Sequence, residues 1–148
     1  MTHEDYMKIA LKEAHKAFIE NEVPIGTIVV KDNEIIAKAH NKREEDNNPA
    51  GHAEFLALQA AAKKLNTWRL TGCTVYVTLE PCIMCAGLMH QARIDKCIYG
   101  AFDSKAGALG SLYQINEDKR LNHNFEVTPG ILEEQCKTIL KEFFKARR

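Results

Sequence analysis

His52-Ala53-Glu54 and, further along, Pro81-Cys82-Ile83-Met84-Cys85 carry the residue types from which a metal-assisted hydrolysis is built. One imidazole and two thiolates are three tight zinc ligands. A set of three leaves a fourth position for water, as catalytic zinc sites do and closed structural ones do not. Glu54 stands beside the histidine without being needed as a ligand, and proton shuttling requires a free carboxylate next to an activated water. Zinc(II), two thiolates and a neutral imidazole sum to zero charge before that water loses its proton. Cys-x-x-Cys alone is ambiguous, because redox pairs share it. His52 and Glu54 upstream, with Pro81 in front of the cysteines, point to zinc. A structural zinc would instead need a fourth protein ligand, for which His40, His90, Cys73 and Cys97 are available.

The elements that hold these residues follow from the surrounding pattern. Residues 81–91 read as a helix with Pro81 in its first turn, where its missing N–H costs nothing. Cys82 and Cys85 then share one face, and the helix N-terminus favours thiolate over thiol. Residues 52–65 form the preceding helix. A regular helix turns His52 and Glu54 roughly 200° apart, so the metal must lie near the helix end. A strand over 73–79 brings both N-termini to one sheet edge, where open α/β sheets bind ligands. Ahead of them, 3–20 is an amphipathic helix, and 26–30 and 35–39 are the arms of a hairpin around a polar turn. The nearly unbroken apolar first arm predicts a strand covered on both faces. Residues 41–51 are polar and form a surface loop. After the cysteine helix come a strand at 96–100, a tightly turned or flexible loop at 101–110, a short helix at 111–116, a strand at 125–127 and a last helix from 131 to about 145. Helices interleaved with strands predict a central sheet covered on both faces. No repeat or linker divides the 148 residues, so a single domain over 1–148 is expected.

Composition narrows the class. Apolar content of 45% and charge of 27% suit a soluble globular chain. There is neither a membrane-length apolar run nor a secretory signal at the N-terminus. Five cysteines, two of them with metal spacing, argue against a disulfide framework and for a reducing cytoplasm. Net charge is zero, so a phosphate-bearing partner would be met by local patches. One such patch is 141–148, with four basic residues against one acid.

H-x-E followed by P-C-x-x-C is the known signature of zinc-dependent nucleobase deaminases. Longer stretches extend the likeness: Glu22-Val23-Pro24-Ile25-Gly26, Ala39-His40-Asn41, Thr67-Trp68-Arg69-Leu70, Thr78-Leu79-Glu80-Pro81-Cys82, Gly100-Ala101-Phe102-Asp103, Gly107-Ala108-Leu109-Gly110-Ser111-Leu112 and Phe143-Phe144-Lys145-Ala146-Arg147-Arg148. From Tyr6 to Arg148 the chain resembles the bacterial tRNA-specific adenosine deaminases, within the cytidine-deaminase-like superfamily. The resemblance implies a three-layer α/β/α sandwich around a mixed five-stranded sheet, and a cytoplasmic homodimer with one zinc per subunit. It implies a tRNA anticodon stem-loop as partner, whose wobble adenosine becomes inosine. By matched position His52, Cys82 and Cys85 hold zinc, and Glu54 moves protons between the activated water, a ring nitrogen and the leaving ammonia. Asn41 contacts the flipped nucleoside. Val23, Pro24 and Ala53 help form the pocket, and Asp103 lies near the substrate backbone beside the target; Phe102, in the loop by the site, either stacks on a flanking base or fills core. Lys105, Arg147 and Arg148 contact phosphates. His90 departs from the family, where apolar side chains are common.

Two other readings stay open on sequence. A deaminase of a free base or nucleoside, of the guanine or cytosine type, shares the zinc chemistry but needs a closed pocket and no basic platform. A non-catalytic RNA-binding or scaffolding subunit with a structural zinc would lack the proton shuttle or fill the fourth position.

Overall fold

A computed structural model describes residues 1–147. Helix α1, His3–Ile19, starts at a capping box in which Thr2 and Asp5 satisfy each other's backbone N–H. It buries Tyr6, Met7, Ala10, Ala14 and Ala17. Asn21, in the left-handed region at φ 65°, turns the chain out of it. Strands β1, Gly26–Lys31, and β2, Glu34–His40, form the hairpin. Its two-residue turn puts Asp32 and Asn33 at φ 51° and 63°, the type I′ geometry that matches strand twist. Gly26 is required by packing: a Cβ there would lie 2.0 Å from the carbonyl oxygen of Ala10.

Helix α2, Ala53–Leu65, strand β3, Cys73–Leu79, helix α3, Ile83–Ala92, and strand β4, Lys96–Ala101, make the centre of the molecule. Strand β5, Glu126–Thr128, and helix α4, Glu133–Lys145, close it. The sheet order is β2-β1-β3-β4-β5, with β1 antiparallel to both neighbours and β3, β4 and β5 parallel. This is the mixed five-stranded sheet expected. Alternation along the strands divides the core. Ile28, Val30, Tyr76 and Ile98 meet α1 and α4, while Val29, Val75, Val77 and Cys97 meet α2 and α3. The first arm is buried throughout from Gly26 to Val30.

Several expectations are corrected. Helix α3 begins at Ile83 with Cys82 as its N-cap, so Pro81 precedes the helix and does not occupy its first turn. The proline serves as well there, because the N-cap keeps extended backbone and Pro81 needs no donor. Residues 111–116 are not a helix; the chain runs through turns to a 3-10 turn at Ile115–Glu117. Its amides go elsewhere: Ser111 donates to Glu80, Leu112 and Tyr113 to the Gly107 carbonyl, and Ile115 to that of Ala108. The last strand and the last helix begin one and two residues later than expected, the helix behind Leu132 at φ 55°. Among the described residues, no helix is long and apolar enough to cross a membrane.

Candidate active site

Two helix N-termini, those of α2 and α3, meet at the edge of the sheet where β3 and β4 end. His52 and Cys82 occupy their N-cap positions in extended backbone, and neither side chain caps its own helix. Residues that would ordinarily spend their side chains on the first-turn amides are thus free to face each other. His52 Nδ1 lies 3.5 Å from Cys82 Sγ and 3.5 Å from Cys85 Sγ. The three ligand atoms all fall within 4.8 Å of one another, and among the described residues no fourth His, Cys, Asp or Glu joins them. The N-cap placement also resolves the helical divergence of His52 and Glu54, because His52 is outside the helix and Glu54 is its second residue.

Electrostatics follow from this packing. The Cys85 thiol hydrogen-bonds the Cys82 sulfur and, with His52, holds it as a thiolate with a pKa lowered to about 4. The same contact, together with burial, pushes Cys85 up. His52 is raised, chiefly by its hydrogen bond with Cys82. Glu54 is 4% exposed, and burial pushes its carboxyl up to about 7. This set offers a cation three donors with a buried carboxyl beside them.

These residues form the floor of a cavity of about 660 Å³ whose walls include Val23, Ile25, Asn41, Arg43, Leu79, Phe102, Asp103, Lys105 and Phe144. Phe102 and Phe144 are 48% and 50% exposed, so two aromatic surfaces stand free at the rim.

A family model described as MafB19-like deaminase matches residues 1–148. The chain is 50% identical over 149 residues to the tRNA-specific adenosine deaminase of Bacillus subtilis (strain 168), covering all of this chain and 92% of that one. A structure from work on A-to-I editing by tRNA:A34 deaminases at the wobble position of transfer RNA superposes with a TM-score of 0.89 at 39% identity, covering 92% of this chain and 99% of that one. This chain belongs to the tRNA-specific adenosine deaminase family. A guanine deaminase from Bacillus subtilis is more distant, with a TM-score of 0.68 at 34% identity, covering 75% of this chain and 71% of that one.

Within this tRNA-specific adenosine deaminase fold, His52, Glu54, Cys82, Asn41, Val23, Phe102, Asp103 and Lys105 all line the one cavity, with Cys85 buried beneath it. Asn41, 4% exposed, accepts the Ala53 N–H through Oδ1 at 2.8 Å. Its oxygen is thereby fixed, and the two N–H donors remain for a ligand. Ala53 is fully buried with its amide so engaged. Pro24 is buried behind Val23. Asp103 accepts the Lys105 and Ala106 amides at 3.0 and 3.1 Å and so caps its own loop. Arg147 lies apart from that cavity, in a neighbouring one that also reaches Val23. It bonds to Asn21 and the Phe143 carbonyl and stacks 3.5 Å over the Phe143 ring. Arg148 lies outside the described residues. His90 is buried and pairs its Nδ1 with the His123 carbonyl at 2.9 Å, tying α3 to the loop before β5.

Sequence reasoning missed Arg43, Ile25, Phe144 and Glu80 as cavity residues. Phe144 carried a signal, since it is a large aromatic that sits exposed on α4 beside buried Phe143. Arg43 was masked by its acidic neighbours. Glu80 gave no signal, because its partners are 23 to 31 residues away.

Proposed function

We propose that the chain hydrolyses the 6-amino group of the wobble adenosine in a tRNA anticodon loop, giving inosine and ammonia, with one zinc ion at His52, Cys82 and Cys85. The observation that carries this reading is the three-donor cluster beside buried Glu54, at the floor of an open cavity with aromatic and cationic walls. The donors suit zinc: ordinary Zn–S and Zn–N lengths in a tetrahedron separate sulfur from nitrogen by about 3.5 Å, and both S···N distances are 3.5 Å. When bound, zinc supplies the Lewis acidity that makes water nucleophilic near neutral pH.

Glu54 takes the proton of the attacking water, delivers it to the purine ring nitrogen, and later helps the amine leave as ammonia. Burial sets this carboxyl apart from the solvent beside the three donors, where the only proton traffic it meets is that of the water and the substrate. Asn41 orients the nucleoside through its free amide N–H groups. Val23 walls the pocket, with Pro24 and Ala53 holding its backbone from behind. Phe102 and Phe144 offer rings on which splayed anticodon bases stack. Lys105 and Arg43 meet phosphates at the rim, and Arg147 offers a further cation from the neighbouring cavity. The 1–148 chain acts as one catalytic domain in the cytoplasm. A homodimer is supported by an apolar groove between α2 and α3, lined by Leu58, Ala62, Leu70 and Leu88, with Trp68 and Ile83 exposed.

Glu54→Gln tests the mechanism. It is expected to keep one zinc per chain and wild-type affinity for an anticodon stem-loop while losing about 100-fold or more of inosine formation. Near-normal turnover in that variant would contradict it.

A further inference from the structure

Among the described residues Glu80 is the most heavily hydrogen-bonded side chain, yet no step of the reaction above uses it. It is 2% exposed, and among the described residues no ion pair reaches it. Its charge is met by N–H and O–H donors of one loop. Oε1 accepts the Asp103 amide at 3.0 Å and the Ser111 hydroxyl. Oε2 accepts the Leu109 and Ser111 amides at 3.2 and 2.9 Å. A buried carboxylate is tolerable only when satisfied in this way, and such charge-assisted bonds are the strong ones. The loop has also made room for it: a Cβ on Gly107 would fall 2.3 Å from the Glu80 carboxyl carbon and from Oε2. Next to Glu80, the Pro81 carbonyl accepts the Ala108 amide at 2.9 Å, and Cys82 pairs with Gly107 in a single β-bridge. Residues 80–82 therefore face the metal site on one side and carry the loop 102–111 on the other.

We infer that Glu80 is a positioning residue for substrate: it fixes the loop that presents Phe102, Asp103 and Lys105 to the cavity, and so sets RNA binding, not the chemical step. The inference rests on the proposed reading of that cavity as an RNA site. Glutamine has the shape of Glu80, but whichever oxygen becomes NH₂ then faces at least one backbone N–H, donor against donor. Gly107→Ala attacks the same contact from the loop side. Gly107 is not among the residues with positive φ, so alanine strains no backbone and acts only by displacing the carboxylate. Ser111→Ala removes one hydroxyl donor and leaves both amides of the Oε2 pair.

Kinetics of zinc-loaded variants on a wobble-adenosine stem-loop, with zinc content and amide hydrogen exchange measured on the same samples, test this. Glu80→Gln and Gly107→Ala are expected to raise KM at least about tenfold while kcat stays within about threefold, with Ser111→Ala giving a smaller rise of the same kind. Zinc per chain stays at the wild-type value. The amides of Asp103, Leu109 and Ser111 lose protection while those of α2 keep theirs. Unchanged KM, a loss confined to kcat, or unchanged protection in Glu80→Gln would overturn the inference. Wild-type inosine formation in the same assay separately scores the RNA reading, and the exchange result stands whichever way that falls.

Discussion

At Glu54 the fold places a carboxyl where water has almost no access, and its ordinary value of 4.5 is raised to about 7 by burial. Folding of the metal-free chain therefore favours the protonated form. The stability tied to this group is full below about pH 4.5, where the carboxyl is neutral folded and unfolded alike, and is lost as pH rises through 7. Glu54→Gln, neutral at every pH, is expected to match the wild-type metal-free protein near pH 4 and to exceed it by about 1–3 kcal/mol at pH 8. Urea unfolding of both proteins without metal at the two pH values checks this; a variant less stable at pH 8 would contradict the burial argument. Asn41 carries a second prediction at this scale. Asn41→Ala leaves the Ala53 N–H without its partner and removes the donors offered to substrate. A loss of about 10- to 100-fold in kcat/KM is expected from interactions of this size. Asn41→Asp would restore the acceptor for Ala53 and not the donors, so steady-state kinetics of the two variants separate the roles.

Elements place these residues through their ends. Helices α2 and α3 present His52 and Cys82 as N-caps, a position the sequence did not distinguish from the first helical turn, because ligand spacing reads the same for either. Helix α2 was legible from its apolar positions and α3 from Pro81 ahead of the cysteines, and β1 with β2 from apolar runs around the Asp32-Asn33 turn. Loops were not, since their order comes from distant carboxylates. Glu22, 2% exposed, accepts the Glu44 and Glu45 amides at 3.1 and 2.7 Å. It so fixes the polar loop after β2 that brings Arg43 to the cavity, much as Glu80 fixes its own loop. Glu22→Ala is expected to cost about 1–3 kcal/mol of stability and to release the protection of those two amides. Denaturant unfolding with amide exchange checks both. The His52, Cys82 and Cys85 cluster was legible because metal chemistry restricts residue type and spacing together, whereas Glu22 and Glu80 are ordinary glutamates until the chain folds.

Whole-molecule properties follow from where charge and apolar surface remain. Net charge is zero, and the proposed RNA contacts rest on a few local cations and aromatic rings at one rim, so binding is predicted to depend only modestly on salt. The exposed Trp68 beside the α2–α3 groove tests the proposed homodimer: the unmodified chain is expected to sediment as a dimer and Trp68→Glu as a monomer, and a monomeric unmodified chain or a dimeric variant would contradict it. The relation to a guanine deaminase at 34% identity makes substrate class the decisive question. It is answered most directly by giving the zinc-loaded protein an anticodon stem-loop with a wobble adenosine, and in parallel free adenosine, cytidine and guanine, then measuring ammonia and nucleoside identity. Inosine at the wobble position alone is the predicted result; turnover of a free base with the stem-loop untouched would contradict the RNA assignment while leaving the zinc chemistry in place.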